Sequence, residues 1–345
     1  MRVKLEDVCE RGSSNLKQSD VVEMTGDYPI YGASGYIGNV DFYHQENPYV
    51  AVVKDGAGIG RTTLHPAKSS VIGTMQYLLP KDNVLPKYLY YVVSYMHLEK
   101  YFTGATIPHI YFKDYKNEKF NLDSLEKQKE IVDALGKCDA VIEYRKQELQ
   151  WLDELIKARF VEMFGDLVYN TNDLPIRNLN ELGNWASGGT PSRTVPEYFK
   201  GNIDWYSAGE LNTLFLEGSV EKITEEAIEK SATKLFKAGS LLIGMYDTAA
   251  FKMGILKEDS ASNQACACIT PNDEVNIIWL YYELQMMKEH FLSQRRGVRQ
   301  KNLNLGMIKA FKIPIAKREQ QDEFSDFVKQ VDKSKVTKQI DSHIS

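Results

Sequence analysis

The chain has 345 residues, more than one ordinary domain needs, so two or three domains are expected. Hydrophobic residues make up 43% of it, which is enough for sizeable cores, but no apolar run approaches the roughly eighteen residues of a membrane span. The net charge of −5 argues at first against nucleic-acid binding, so the distribution of charge matters more than its sum.

The cysteines and histidines bear on compartment and metal chemistry. The four cysteines are scattered and residues 1–14 hold no apolar signal core, so we expect a cytoplasmic chain with reduced thiols. Cys266 and Cys268 are too close together and too isolated for a zinc site, and we expect them in the core of a strand. The six histidines have no metal-ligand spacing, so no bound metal is predicted.

Residues 1–122 are predicted to form a first domain of strands and tight turns with one helix. The Gly- and Tyr-rich segment 28–43 and the apolar runs 48–53 and 75–80 indicate strands, and the apolar spacing of residues 85–102 indicates a helix. The next loop, TGATIPHIYFK, offers hydroxyls, an imidazole and a cation to DNA, although a plain solvent-exposed loop is an equal alternative. Its candidate DNA-binding residues are Thr103, Gly104, Thr106, His109, Tyr111 and Lys113.

A glycine-rich turn, DGAGIG at residues 55–60, follows the apolar run 48–53. Such a turn can cradle a pyrophosphate if a helix follows it. Here RTTLHP follows, and Pro66 would interrupt a helix. We therefore expect a turn between two strands, with dinucleotide binding as the less favoured alternative.

Residues 124–165 are predicted to form one long helix, because they contain no proline and only one interior glycine, Gly136. Apolar residues recur in alternating steps of four and three, interrupted only at Arg145 and Arg159, which is the spacing of a coiled-coil seam. About forty residues make a helix roughly 60 Å long, which cannot bury its apolar stripe without a partner helix. The seam residues are Ile131, Leu135, Cys138, Ile142, Leu149, Leu152, Ile156 and Met163.

Residues 166–315 repeat the order of the first domain, so we expect a second, homologous one. Pro271 falls on Pro80, and Gly297 falls on Gly104. Trp205 and Tyr206 fall in the same way on the segment that begins at Ile30. The segments 31–36 and 205–209 could contact sugar or base edges of DNA, or they could be core and turn residues.

Positive charge is concentrated near the end of this second domain. From His290 to Arg318 the sequence has eight basic residues and no acidic one, whereas residues 123–165 hold ten acidic against seven basic residues. Arginine pairs with guanine, asparagine and glutamine pair with adenine, and lysine suits phosphate, although a solvated loop is the alternative. The candidate DNA-binding residues here are Arg295, Arg296, Gly297, Arg299, Gln300, Lys301 and Asn302.

A partner for the first long helix begins near residue 316. The segment 317–335 aligns with residues 124–142 without a gap, and this internal repeat governs the predicted architecture. We predict an α+β chain of two homologous α/β domains, residues 1–122 and 166–315, each followed by a long helix, residues 123–165 and 316–345. The two helices are expected to pair as an antiparallel coiled coil. The coinciding residues are Glu126 and Glu319, Gln128 and Gln321, Glu130 and Glu323, Asp133 and Asp326, and Asp139 and Asp332.

Catalytic motifs are missing from the sequence. The eleven prolines are never adjacent, so the Pro-Pro of a DNA amino-methyltransferase tetrad is absent, and there is no GxxxxGK[ST] loop for ATP. Neither a nuclease pair nor a nucleophile elbow is found. We therefore predict a binding protein with no catalysis of its own.

In order and composition, the duplicated modules resemble the specificity subunits of type I restriction-modification systems. The residues that carry the resemblance are LDSLEKQKEIVDAL at 122–135, PIAKREQQDEFSDF at 314–327, the loops that precede them, and the helix end IKARFVEMFGD at 156–166. The likeness covers nearly the whole chain. Each motif is modest alone, and their duplication in the right order makes the match specific.

The resemblance implies a specific role. Each domain would be a target recognition domain for one half of a split double-stranded DNA sequence, and the paired helices would set the unread spacer. Two methyltransferase subunits would dock and methylate adenine with S-adenosylmethionine. Restriction subunits, if present, would add translocation and cleavage driven by ATP and Mg²⁺. This chain would bind no cofactor, and the second helix, which ends at Ser345, is shorter than the first, so we expect a truncated or a naturally short distal helix.

Two alternatives stay open from the sequence. One is a coiled-coil interaction protein, for instance a decoy or inhibitor specificity subunit without productive DNA recognition. The other is a nucleotide-binding enzyme that uses residues 55–60. Sequence-selective DNA binding separates the first alternative from the main hypothesis, and tight binding of a labelled nucleotide would favour the second.

Overall fold

The computed structural model describes residues 1–56, 58–103, 108–293 and 302–344. The chain divides into two compact units, Met1–Tyr144 (unit 1) and Arg145–Ser345 (unit 2). Within the described residues, no helix is both long and apolar enough to cross a membrane.

Unit 1 is built of short strands and helices followed by the beginning of a long helix. Its strands are β1 (Arg2–Lys4), β2 (Cys9–Ser13), β3 (Tyr28–Gly32), β4 (Gly35–Val40), β5 (Tyr49–Val53), β6 (Thr62–His65), β7 (Ser70–Val71), β8 (Met75–Pro80) and β9 (Lys119–Asn121). Its helices are α1 (Leu5–Val8), α2 (Gln18–Val21), α3 (Pro86–Tyr95), the 3₁₀ turn Leu98–Tyr101, α4 (Phe112–Tyr115) and α5 (Leu125–Phe164), which continues into unit 2.

Unit 2 repeats this organisation with additional short elements. Its strands are β10 (Ile176–Asn178), β11 (Gly183–Ser187), β12 (Ile203–Tyr206), β13 (Phe215–Leu216), β14 (Glu221–Ile223), β15 (Leu235–Phe236), β16 (Leu241–Gly244), β17 (Met253–Leu256), β18 (Ser260–Ser262), β19 (Cys266–Pro271) and β20 (Lys312–Pro314). Its helices are α6 (Glu225–Glu229), α7 (Ile277–Met286), α8 (Lys288–Ser293), α9 (Leu305–Ala310) and α10 (Arg318–Ile344), with 3₁₀ turns at Leu179–Glu181, Pro196–Phe199, Ala208–Glu210 and Asp247–Ala249.

The sheets of the two units share a common strand order, to which unit 2 adds β13 and β15. In unit 1 the strand orders are β2-β8-β5-β6, β4-β3-β7 and β1-β9. In unit 2 they are β11-β19-β16-β17-β13, β14-β12-β18-β15 and β10-β20. The parallel pair β3–β7 of unit 1 corresponds to the parallel pair β12–β18 of unit 2.

The strand register supports the predicted sequence repeat at Pro80 and Pro271 and at Ile30 and Trp205. Cys9 pairs with Pro80 in unit 1 as Gly183 pairs with Pro271 in unit 2. Trp205 also occupies the position of Ile30, as predicted, since the two residues open the equivalent parallel pairings. The two halves are therefore copies of one fold.

The glycine-rich turn 55–60 connects two antiparallel strands, β5 and β6, as the sequence predicted. Gly60 has a φ of +82°, and a Cβ there would lie 2.5 Å from the backbone nitrogen of Glu99, so a side chain cannot be accommodated. The equivalent residue of unit 2 is Phe251, because Phe251 N–H donates to Gly244 O as Gly60 N–H donates to Val53 O. Phe251 keeps the left-handed backbone, with a φ of +61°, and is fully buried.

The two long helices pack against each other in unit 2. Phe324 of α10 lies against Phe160 and Phe164 of α5, at centroid distances of 5.0 and 5.8 Å. Asp153 pairs with Lys335 (2.6 Å) and Arg159 pairs with Glu323 (2.9 Å). The later residue of α5 therefore pairs with the earlier residue of α10, so the two helices run in opposite directions. This confirms the predicted antiparallel pairing.

One buried glutamine ties each long helix to the fold that precedes it. Gln128 is fully buried, accepts a hydrogen bond from Leu85 N–H (2.8 Å), and donates to Asn83 O and Asp123 O (3.0 Å each). Gln321 accepts from Asn276 N–H (2.8 Å) and donates to the carbonyl oxygens of Ala316 (2.8 Å) and Glu274 (3.4 Å). Gln128 and Gln321, which the sequence alignment matched, therefore both connect the start of a long helix to the preceding domain.

Candidate nucleic-acid interface

The candidate interface of unit 1 lies where the loop before α4 returns to the end of β5. The backbone holds the two segments together, because Ile110 N–H donates to Lys54 O and Gly56 N–H donates to Pro108 O, both at 3.0 Å. Thr103 and His109 are bridged by reciprocal backbone hydrogen bonds of 2.9 Å. Side chains from the β5–β6 turn and from the returning loop are thereby placed side by side.

The closest side-chain contact at this place joins His109 to Asp55. Nδ1 of His109 lies 2.6 Å from Oδ1 of Asp55, and Lys54 Nζ lies 3.6 Å from the other carboxylate oxygen. The side chains of His109 and Asp55 are 37% and 29% exposed, so both can be reached from solvent. The site thus combines an imidazole and a carboxylate with a nearby cation.

The row of exposed groups continues along the returning loop. The ring of Tyr111 is nearly parallel to that of His109, with centroids 6.4 Å apart and 21° between the planes. Lys113 Nζ lies 5.2 Å from the centroid of the Tyr111 ring. An aromatic surface that ends in a cation can stack on a base or sugar and pair with a phosphate.

Unit 2 places different side chains in the same backbone frame. Leu303 N–H donates to Met245 O (2.8 Å) as Ile110 N–H does to Lys54 O, so Tyr246 stands where Asp55 stands and Asn302 where His109 stands. Tyr246 is 40% exposed. Two copies of one frame that carry different polar groups are suited to contacting two different surfaces.

The structure brings together a part of the predicted binding residues. Thr103, His109, Tyr111 and Lys113 belong to the unit 1 site, and Asn302 belongs to the equivalent position in unit 2. The remaining predicted residues lie outside the described residues. These are Gly104, Thr106, Arg295, Arg296, Gly297, Arg299, Gln300 and Lys301.

Two residues of these sites were not identified as DNA contacts from the sequence. The sequence places Asp55 in the turn 55–60, with dinucleotide binding as the alternative, and it indicates no role for Tyr246. Both follow the end of a buried strand, β5 and β16, and the strand end alone does not show which loop returns to it. The repeated order of the two halves is the sequence signal that could have led to both positions.

The sequence left two interpretations open for the segments 31–36 and 205–209, namely DNA contact or core and turn. The structure gives a different answer for each segment. Tyr36 is 63% exposed at the hairpin of β3 and β4. Trp205 and Tyr206 are buried, and Trp205 Nε1 donates to Gly189 O at 3.0 Å. Trp205 and Tyr206 are therefore core residues, and Tyr36 is accessible.

The described part of the chain also bears on the sequence predictions for metal ligands and for Cys266 and Cys268. There, no group of three or more His, Cys, Asp and Glu residues is placed to hold a metal ion. Cys266 and Cys268 lie buried in β19, as predicted, and burial raises the pKa of both thiols to about 12. A cleft of about 1100 Å³ in unit 2 is lined by aromatic and apolar side chains such as Tyr281 and by charged ones, of which Lys335 pairs with Asp153.

Comparison with protein families gives a match over nearly the whole chain. The family model for the type I restriction modification DNA specificity domain matches residues 1–154 and 172–345. The two matched segments contain the two sites described above.

Individual relatives and a solved structure agree with this match. The chain is 25% identical over 281 residues to the type I restriction enzyme EcoR124I/EcoR124II specificity subunit of Escherichia coli, covering 77% of this chain and 68% of that protein. It is 23% identical over 333 residues to the MjaVIII specificity subunit of Methanocaldococcus jannaschii, covering 86% and 75%. The crystal structure of a type I restriction-modification system S subunit from M. genitalium has a TM-score of 0.61 at 14% identity, covering 99% of this chain and 92% of that one, and so shares its fold.

Proposed function

The chain belongs to the type I restriction-modification DNA specificity family, and from this premise we propose that it reads a bipartite DNA target, one half-site with each half of the chain. Members of this family are specificity subunits, which are not themselves catalytic and whose general role is DNA target recognition. The finer assignments below are proposals for this chain.

One observation carries the proposal, namely the repetition of a single backbone frame with different side chains. Asp55 and His109 occupy the frame in unit 1, and Tyr246 and Asn302 occupy it in unit 2. Carboxylate, imidazole, phenol and amide groups differ in the donors and acceptors that they offer to base edges. Two such sites on one chain suit a target whose two half-sites have different sequences.

We propose that residues 1–122 and 166–315 are the two target recognition domains and that residues 123–165 and 316–345 form the spacer. Helix α5 has 40 residues, which corresponds to about 60 Å. Successive major-groove faces of duplex DNA are roughly 34 Å apart, so a helix of this length is long enough to separate two domains that read adjacent turns. The candidate residues of the loops 103–113 and 295–302 remain the proposed DNA contacts.

The proposed partners are double-stranded DNA and two methyltransferase subunits, with restriction subunits where the system has them. S-adenosylmethionine, and ATP with Mg²⁺ in a restriction complex, would be bound by those partners. The exposed residues Tyr144, Trp151 and Leu155 of α5 offer apolar surface to a protein partner.

A methylation map tests this function. The chain would be co-expressed with its methyltransferase in a host free of adenine methylation, and the genome would be sequenced by a single-molecule method that detects methyladenine. We expect a split motif with adenine methylated in both half-sites. A stable complex that leaves the genome unmethylated would contradict the proposal and favour a decoy subunit.

A further inference from the structure

The contact between Asp55 and His109 calls for an explanation, because it places a carboxylate on a surface proposed to meet DNA. Phosphates repel an unbalanced carboxylate. Here Lys54 Nζ is 3.6 Å from one oxygen and offsets the charge of Asp55, while His109 Nδ1 is 2.6 Å from the other oxygen, within hydrogen-bond distance. Asp55 is therefore compatible with a DNA-facing position.

Stability gives little reason for this pair. About a third of each side chain is exposed, and exposed ion pairs add little to folding because water screens them. The backbone hydrogen bonds from Ile110 to Lys54 and from Gly56 to Pro108 already hold the two segments together. The side-chain contact orients a ring whose position the backbone has fixed.

The chemistry of the contact sets the hydrogen-bonding character of the imidazole. An ionised carboxylate can only accept, so Nδ1 of His109 carries a hydrogen and donates to Asp55. In the uncharged ring, Nε2 is then left as an acceptor, on the side of the ring away from the carboxylate. An acceptor in the major groove pairs with the exocyclic amine of adenine or cytosine.

We propose that Asp55 is a positioning residue for DNA recognition, which holds the His109 ring so that its Nε2 accepts a hydrogen bond from an adenine or cytosine amine in one half-site. This inference rests on the proposed function. The Tyr111 ring lies nearly parallel to that of His109, with centroids 6.4 Å apart, and Lys113 beyond it supplies a cation for the adjacent phosphate. Among the described residues, Lys54 Nζ lies 3.6 Å from Asp55 and Lys113 Nζ lies 5.2 Å from the centroid of the Tyr111 ring, so both place positive charge near this site.

Three variants test the proposal in the methylation map of the full complex. Asn at position 55 can donate or accept, so Asp55→Asn frees the ring to present Nε2–H. We expect discrimination at one base position of one half-site to fall about tenfold, with guanine newly accepted there. Asp55→Glu, which retains the carboxylate, should restore the original preference. His109→Gln should relax the same position without any change at residue 55.

The matched control is Asp82→Asn. Asp82 is exposed and follows the end of β8, which runs antiparallel to β5, so it lies at the edge of the sheet opposite to Asp55. It should leave both half-sites unchanged.

The outcomes separate the two proposals. An unaltered motif with Asp55→Asn, or a uniform loss of methylation with unchanged base preference, would overturn the role of Asp55. Thermal unfolding of the complex shows whether Asp55→Asn folds. If it does not fold, His109→Gln replaces it, and an unaltered motif or a uniform loss of methylation in that variant would overturn the proposal. If the unmodified chain itself yields no split motif, the proposed function fails instead.

Discussion

Gln128 and Gln321 show how one side chain can fix the exit angle of a helix. Each is fully buried, and its removal would leave buried backbone donors and acceptors without partners. We expect Gln128→Ala or Gln321→Ala to lower the free energy of unfolding by about 1–3 kcal/mol. Hydrogen exchange should accelerate at the amide of Leu85 in the first variant and of Asn276 in the second.

The control for these variants is Gln150→Ala, an exposed glutamine of α5. It should change neither the stability nor the exchange of those amides. Equal exchange rates at Leu85 in the Gln128→Ala variant and in the unmodified protein would refute the anchoring role.

Glu283 makes stability depend on pH. It is fully buried in α7, and within the described part of the chain neither of its carboxylate oxygens has a hydrogen-bond partner, so burial raises the pKa of Glu283 well above its usual range. As the pH rises, the unfolded chain loses this proton first, so the free energy of unfolding falls between the unfolded and the folded pKa values. Glu283→Gln should therefore be more stable than the unmodified protein at pH 7, on the order of 1–3 kcal/mol, with the difference vanishing towards pH 4.

Thermal unfolding at several pH values between 4 and 8 measures this effect. Glu289→Gln, an exposed neighbour in α8, serves as the control and should follow the unmodified protein at every pH. A constant difference between Glu283→Gln and the unmodified protein across this range would show that the carboxyl does not titrate on folding.

At the scale of elements, the packing of α5 against α10 depends on aromatic side chains more than on ion pairs. Phe324 is fully buried and contacts Phe160, Phe164 and Tyr282, whereas the ion pair of Arg159 with Glu323 is exposed and contributes only about 0–1 kcal/mol. We expect Phe324→Ala to cost about 3–5 kcal/mol in urea unfolding. Val161→Ala, at an exposed position of α5, should cost about 0.5 kcal/mol or less, and similar costs for both variants would contradict this ranking.

The sequence repeat predicts these elements well because it is carried by residues that the fold needs. The two glutamines and the strand ends at Pro80 and Pro271 are structural requirements, so both halves retain them. The predicted seam of α5 is only partly buried, because Leu135 and Ile142 are 39% and 54% exposed and Cys138 is exposed as well. The turn at Gly60 is different, because unit 2 keeps its left-handed backbone with Phe251 in place of glycine. The same left-handed backbone conformation is adopted by a glycine in unit 1 and by a buried phenylalanine in unit 2. A pattern of residue types therefore does not reveal it.

The candidate site is only partly predictable for a related reason. His109, Tyr111 and Lys113 are close in sequence, and their chemistry is visible there. Asp55 and Tyr246 join the sites only because a distant loop pairs its backbone with the residue before each of them. Such long-range pairings follow from the assembled sheet, which local periodicity does not specify.

At the scale of the whole molecule, the length of α5 should set the unread spacer of the DNA target. Gln147 lies between Asp139, which Tyr91 contacts in unit 1, and Leu152, which packs on the core of unit 2. Four residues inserted after Gln147 lengthen a helix by about 6 Å and turn it by roughly 40° beyond a full turn. Two added base pairs lengthen DNA by about 7 Å and turn it by roughly 70°. We therefore expect a spacer about two base pairs longer with both half-sites unchanged in the methylation map.

Inserting two residues at the same place separates the effects of length and rotation. Such an insertion adds about 3 Å but turns the helix by roughly 200°, while one added base pair turns DNA by only about 35°. The two proposed recognition domains would then face different sides of the duplex, so we expect methylation to be lost although each domain still folds. If the insertions of two and of four residues gave the same spacer, or if the four-residue insertion altered a half-site, α5 would not act as a rigid ruler.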